Sequence, residues 1–335
     1  MRKTIILSTL AMFYSHSAWA GGFEPKTMLD PMSSRSIDRG LVLGKGWWEF
    51  TLGSDVKLST GYWNSEGEQV DFASTNWTYS TQYLNFRYGI TRRAEVYWKL
   101  KTHYVSLMND DLGTNTDQFG VGDPEFGYKF DVYRVLSPLT SVIVYANYKA
   151  PFANEAPGNY VGGPNTFSAF VLTTGTADLT LGTQGKKQFG PMALSLDLGY
   201  VVRFSGLALY AIETELNQFM MRVDPGDILR VDTKGELQLG PINLSGGALY
   251  QQRQAFKIGN TVQSVLPSRD LDVIIDSDGW SLDAYTGLTF NFSNRADLIV
   301  RAQFPIYGED LQFFPIEEIH PTYGNVYTGA FAFRF

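Results

Sequence analysis

Cysteine is absent from this sequence of 335 residues, and histidine occurs only three times. Without cysteine the chain can form no disulfide, no thiolate metal site and no cysteine nucleophile. Charge is also scarce, at 18% of residues, whereas 15% are aromatic, and this combination argues against a disordered chain. Acidic residues outnumber basic ones by 34 to 27, which argues against nucleic acid as a partner.

Long apolar runs are missing as well, and the mean hydropathy of −0.14 is not typical of a helical membrane protein. A transmembrane β-barrel can have such a value, because only every second residue of its strands faces lipid. The 33 glycines, 19 tyrosines and 23 phenylalanines favour an all-β protein with many turns.

The N-terminus carries the pattern of an export signal. Arg2 and Lys3 precede an apolar run over residues 4–14, and small residues end at Ala18-Trp19-Ala20. A charged start, a short apolar stretch and an A-x-A ending predict a cleaved secretory signal over residues 1–20. A membrane anchor is the alternative, but the run is too short to span a bilayer.

Residues 21–46 differ from the rest of the chain. They contain Pro25 and Pro31 and show no sustained hydrophobic period. We interpret them as a periplasmic N-terminal segment. The alternative is a plug inside a barrel, although 26 residues could block a lumen only in part.

From residue 47 onward, apolar and polar residues alternate with period two, as in a strand with lipid on one face and a lumen on the other. The clearest stretch is 192–204, where Met192, Leu194, Leu196, Leu198, Tyr200, Val202 and Phe204 alternate with smaller or polar residues. Twelve such segments start near Trp47, Asn76, Ala94, Phe119, Leu139, Thr176, Met192, Asp227, Ile242, Asp278, Ala296 and Asn325.

The connections between these segments are alternately short and long, and the short ones include Gly190-Pro191 and Gly240-Pro241. This alternation of short and long connections is typical of outer-membrane barrels. The strands of a soluble β-sandwich also alternate between apolar and polar residues, but their connections do not usually show this rhythm. The sequence therefore predicts an all-β fold over residues 47–335: a transmembrane, antiparallel, up-and-down β-barrel of about twelve strands. Such a barrel would lie in the outer membrane of a Gram-negative cell, in contact with lipid and lipopolysaccharide. Phe335, which ends the last strand, resembles the signal read by the barrel insertion machinery.

Three short motifs carry a family resemblance. GKGWWE (residues 44–49) opens the first segment, RYGITRRAEV (87–96) makes the first tight turn, and GVGDPEFGYK (120–129) opens the fourth. Together they resemble the transporter-like outer-membrane family named for the MetA-pathway of phenol degradation. The resemblance implies a barrel that passes small molecules, and the family name implies aromatic compounds.

The polar face of the strands supplies the candidate lumen-lining residues. They are Glu95, Lys99, Lys101, His103, Glu125, Lys129, Arg203, Arg230, Lys234, Glu236 and Arg301. One interpretation is a narrow channel for passive passage of small aromatic or anionic solutes, oriented by these charges. The other is a closed structural or adhesive barrel with long surface loops, braced by ion pairs.

A lipid-modifying enzyme is the third hypothesis. It would need a Ser–His pair, and beyond the signal only His103 and His320 remain, neither beside a recognisable serine motif. We therefore predict no catalytic residue, no metal site and no cofactor.

Overall fold

The computed structural model describes residues 33–64, 66–71, 75–109, 114–134, 140–151, 176–211, 218–255, 257–259, 271–273, 278–309 and 323–335. A short 3-10 helix at Ser36–Asp38 precedes the strands. Among the described residues, no helix is long and apolar enough to cross a bilayer.

The strands are β1 (Trp48–Trp63), β2 (Gln69–Asp71), β3 (Thr75–Gly89), β4 (Ala94–Asn109), β5 (Thr114–Val121), β6 (Glu125–Arg134), β7 (Thr140–Lys149), β8 (Asp178–Phe189), β9 (Met192–Arg203), β10 (Gly206–Ala211), β11 (Gln218–Asp224), β12 (Ile228–Leu239), β13 (Ile242–Arg253), β14 (Lys257–Gly259), β15 (Leu271–Val273), β16 (Gly279–Asn291), β17 (Ala296–Glu309) and β18 (Tyr323–Arg334).

Twelve of these strands form a closed antiparallel barrel, which confirms the predicted fold. Its order is β1-β3-β4-β6-β7-β8-β9-β12-β13-β16-β17-β18, and β18 pairs back onto β1 from Glu49–Arg334 to Gly61–Tyr323. The pairs β1–β2 and β4–β5 lengthen the wall, and β10, β11, β14 and β15 form a separate four-stranded sheet. Closure pairs the backbone N–H and C=O groups of the two edge strands, which could not be left without hydrogen bonds in lipid.

The predicted segment starts agree with the strands to within two residues, except at the fourth. There the sequence predicted a start near Phe119, but that residue lies in β5 and pairs with Tyr104 at the upper part of β4. The wall strand β6 begins at Glu125, paired with Lys99. The break falls at Pro124, which has no N–H to donate to the ladder.

The tight turns lie at one end of the barrel, which we call the short-turn end, and the other is the long-loop end. Gly190 and Gly240 have φ of 60° and 58°. A two-residue hairpin loop can require a positive φ at its first position, and glycine adopts it without strain. Pro191 and Pro241 follow them with the negative φ that proline fixes.

The two faces of the wall differ sharply in character. Leu194 is 58% exposed and Leu52 is 56% exposed. Most of the alternating apolar residues of 192–204 are exposed as well. Glu95, by contrast, is 0% exposed and lies on the opposite face. The apolar face of the wall therefore points outward and the polar face inward, as the period-two pattern predicted.

Candidate solute pathway inside the barrel

Every predicted lumen residue belongs to the inward-facing set, but the structure divides them among three levels. Glu95 and Lys129 lie near the short-turn end, with Lys234 and Glu236 on the facing wall. Lys99, Lys101, Glu125, Arg230 and Arg301 lie near mid-height, and His103 and Arg203 lie toward the long-loop end. Their roles in a solute pathway stay a prediction.

At the short-turn end, alternating charges form one continuous chain of ion pairs across six neighbouring strands. In order around the wall these residues are Asp297, Arg334, Glu49, Arg87, Glu95 and Lys129, and successive partners are 2.5–3.3 Å apart. Arg87 donates to Glu95 through both Nε and Nη2, at 3.0 and 2.8 Å. Such bidentate pairs fix the relative orientation of the two side chains in addition to neutralising their charges. The chain braces half the circumference of the barrel.

The described part of the N-terminal segment, residues 33–46, lies inside this end. The side chain of Ile37 is 0% exposed. Its backbone N–H donates to Gln238 at 3.4 Å, and that of Leu43 donates to Glu95 at 2.7 Å. Because β12 and β4 lie on facing walls, residues 33–46 cross the barrel at this end. The interpretation of residues 21–46 as a periplasmic N-terminal segment, and its alternative as a plug, stay predictions. Residues 21–32 lie outside the described residues.

Arg39 joins the segment to the ion-pair chain. Its guanidinium forms an ion pair with Asp297, which also pairs with Arg334. Burial lowers the pKa of Arg39 from its usual value, and the hydrogen bond that Arg39 donates to Asp297 opposes this shift. An arginine still keeps its charge at physiological pH. On the β8 side, Gln188 donates to Asp38 at 2.7 Å.

At mid-height, the charges are only partly paired. Lys101 forms an ion pair with Glu125, which also accepts from Asn147 at 3.0 Å. Lys99 instead lies over the ring of Tyr83, 4.4 Å from its centre. Arg230 is exposed on β12, which lies five strands around the barrel from β4. It interacts electrostatically with Lys99.

The remaining predicted residues have local partners. Lys234 pairs with Glu236 at 3.4 Å. The Arg301 guanidinium lies 3.6 Å from the centre of the Tyr285 ring. Toward the long-loop end, Arg203 approaches Asp178 at 4.0 Å.

His103 is held by two hydroxyl groups on the inner wall. Its Nδ1 lies 2.6 Å from the Tyr79 hydroxyl and 3.0 Å from that of Thr81. The other histidine beyond the signal, His320, lies outside the described residues.

Sequence reasoning missed a set of inward tyrosines, each paired across the ladder with a glycine. The pairs are Tyr83–Gly53, Tyr97–Gly127, Tyr145–Gly182 and Tyr285–Gly247. In each, a Cβ atom on the glycine would overlap the tyrosine ring, so the ring lies flat over bare backbone. A signal was available, because these tyrosines have the same parity as the charged residues of their strands.

No family model and no curated protein matches the sequence. Solved structures do match. The COG4313 outer membrane channel from Pseudomonas putida F1 has a TM-score of 0.63 at 14% identity, over 92% of this chain and 100% of that chain. The translocator domain of the autotransporter NalP from Neisseria meningitidis has a TM-score of 0.45 at 11% identity, over 99% and 98%. The NanC porin has a TM-score of 0.43 at 9% identity, over 85% and 98%.

The first of these comparisons shows a shared fold, that of a closed β-barrel. At such low identity, the likeness concerns the fold alone. The resemblance to the MetA-pathway of phenol degradation family stays a prediction, because no family model matches.

Proposed function

We propose that this protein is an outer-membrane channel for passive passage of small molecules. The observation that carries the proposal is a closed wall whose exposed apolar residues face outward and whose charged residues face inward. A barrel of twelve strands is intermediate in width between filled eight-stranded barrels and open porins of sixteen or more. The inward charges at mid-height would then line a narrow aqueous path. No cofactor and no catalytic step enter the proposal.

The localisation and partners follow from the same barrel. Residues 1–20 would be removed on export, and residues 21–46 would form a periplasmic N-terminal segment, of which residues 33–46 lie inside the short-turn end. Outer-membrane lipid and lipopolysaccharide would contact the apolar face. Phe335 exchanges two backbone hydrogen bonds with Trp48, at 2.8 and 3.1 Å, where the barrel closes. We propose that the insertion machinery binds this C-terminal residue before closure.

A closed structural barrel is the second candidate, and one observation favours it. The ion-pair chain and residues 33–46 together fill the short-turn end, so the path narrows there. A permanently sealed barrel would need no solute site and could act through its long loops.

Single-channel recording in planar bilayers separates the two candidates. If the protein is a channel, the mature chain should give discrete conductance steps in potassium chloride. Protease protection verifies that the protein has inserted. If the bilayer then stays sealed, the result would contradict the channel and favour the structural barrel.

Labelling of introduced cysteines tests the orientation of the wall, and the natural absence of cysteine makes the assay clean. In lipid vesicles, Leu196→Cys should resist a water-borne maleimide, because Leu196 is on the exposed apolar face that lipid would cover. Asp278→Cys, at an exposed loop position, should react fully and serves as the matched control. Equal reaction rates at the two positions would contradict the membrane placement of the barrel.

A further inference from the structure

Between Lys99 and Arg230, the inner wall at mid-height combines flat aromatic rings with positive charge. We propose that this half-wall, formed by Lys99, Tyr97, Tyr145 and Arg230, is a binding site for a planar organic anion, such as an aromatic carboxylate. The inference rests on the proposed function, because a solute must enter the barrel to reach the site.

Two tyrosine rings lie against the inner surface of this half-wall. Tyr97 of β4 lies over Gly127 of β6, and Tyr145 of β7 lies over Gly182 of β8. The hydroxyl of Tyr145 extends as far as Gly199 of β9, whose Cα lies beside the Cβ atom of Arg230. Each ring has one face against backbone and is half-buried. The ammonium of Lys129 lies over the Tyr97 ring, 5.3 Å from its centre, so the Tyr145 ring is the one that offers a face for stacking. Flat, fixed rings favour stacking with a planar solute.

The acidic residues of this level are already engaged. Glu125 is paired with Lys101. Asp197 accepts a hydrogen bond from the Tyr145 hydroxyl at 2.7 Å, and Asp232 accepts one from the Tyr285 hydroxyl at 2.6 Å. The tyrosines therefore form the aromatic surface and also orient these two carboxylates, whose bonded oxygens point at hydroxyl groups.

Two cations have no carboxylate within ion-pair distance. Among the residues that the structure describes, neither Lys99 nor Arg230 forms an ion pair, and Arg230 is exposed. The charges that act on Lys99 are those of Lys101, Glu125, Asp55 and Arg230. In a narrow passage with low-dielectric walls, such charges attract an anion more strongly than they would in bulk water. A guanidinium also matches a carboxylate with two parallel hydrogen bonds.

Equilibrium binding to detergent-solubilised protein tests the site without requiring conduction. We expect isothermal titration calorimetry to detect benzoate binding to the wild-type chain. Cyclohexanecarboxylate, which carries the same charge without a flat ring, and benzyl alcohol, which has the ring without the charge, should both bind more weakly.

Single substitutions assign the two parts of the site. Arg230→Gln should weaken benzoate binding about tenfold, because one charge-assisted contact is lost. Lys257→Gln removes a cation from β14, outside the barrel wall, and should leave the affinity unchanged. Tyr145→Leu should reduce the preference for benzoate over cyclohexanecarboxylate, whereas Tyr145→Phe, which keeps the ring, should preserve it.

Binding of benzoate that is unaffected by Arg230→Gln, or equal affinity for the two carboxylates, would overturn the proposed site. The failure of the proposed function is distinguishable. A protein that binds benzoate but never conducts would overturn the channel and leave the site, whereas one that conducts but does not bind benzoate would overturn the site alone.

Discussion

A variant that lacks residues 33–46 is expected to conduct several-fold more current per channel than the full mature chain. The segment crosses the short-turn end, where Ile37 and Leu43 are buried and their backbone N–H groups are bonded to facing walls. Its removal clears that cross-section without altering any strand pair of the barrel. Single-channel recording under identical salt conditions measures the difference.

Two point variants refine this first prediction. Arg39→Ala, which breaks the ion pair with Asp297, should give brief openings to the larger conductance, because the segment loses its charged attachment. Arg35→Ala removes an exposed arginine whose ion-pair partner, among the described residues, is Asp38 of the same segment, and it should behave like the wild type. If deletion of the segment left the conductance unchanged, the constriction would lie elsewhere in the barrel.

Glu95→Gln is expected to lower the free energy of unfolding by about 3 kcal/mol, because one partner of a buried charge network is removed. Glu95 is fully buried and interacts with Arg87, Lys129 and the backbone N–H of Leu43. Its loss leaves the half-buried Lys129 without its carboxylate. Denaturant titration of the barrel folded in vesicles, followed by tryptophan fluorescence, measures the change.

The control for this variant is Asp278→Asn, an exposed acid near the start of β16. Surface substitutions of this kind usually change stability by no more than about 0.5 kcal/mol. A similar small effect for Glu95→Gln would mean that the ion-pair chain contributes little to the stability of the barrel.

The sequence predicted the wall better than the contents of the barrel. Period-two alternation is imposed residue by residue by lipid on one side and water on the other, so it is legible along a single strand. The strand β9 and its turn at Gly190-Pro191 were found in this way. The fourth strand was misplaced because Phe119 and Val121, at the end of β5, alternate with glycines as the apolar residues of a wall strand would. Only pairing separates Phe119 from Glu125.

The lumen residues were found as a set, but their relations were not. Parity placed Glu95, Lys99 and Lys101 on one face, yet nothing in the sequence distinguished the paired lysine from the unpaired one. That difference depends on the neighbouring strand, where Glu125 reaches Lys101 and not Lys99. The tyrosine–glycine pairs depend in the same way on cross-strand register.

By itself, the sequence determined that this chain forms strands with one apolar and one polar face, that about twelve of them form the wall, and where all but the fourth begin, because each of these properties is local. The tertiary structure decided which charges neutralise each other, which tyrosines lie flat over glycine, and that residues 33–46 cross the short-turn end. Those outcomes require the register between strands far apart in sequence and the closure of β18 onto β1, and no local pattern encodes either.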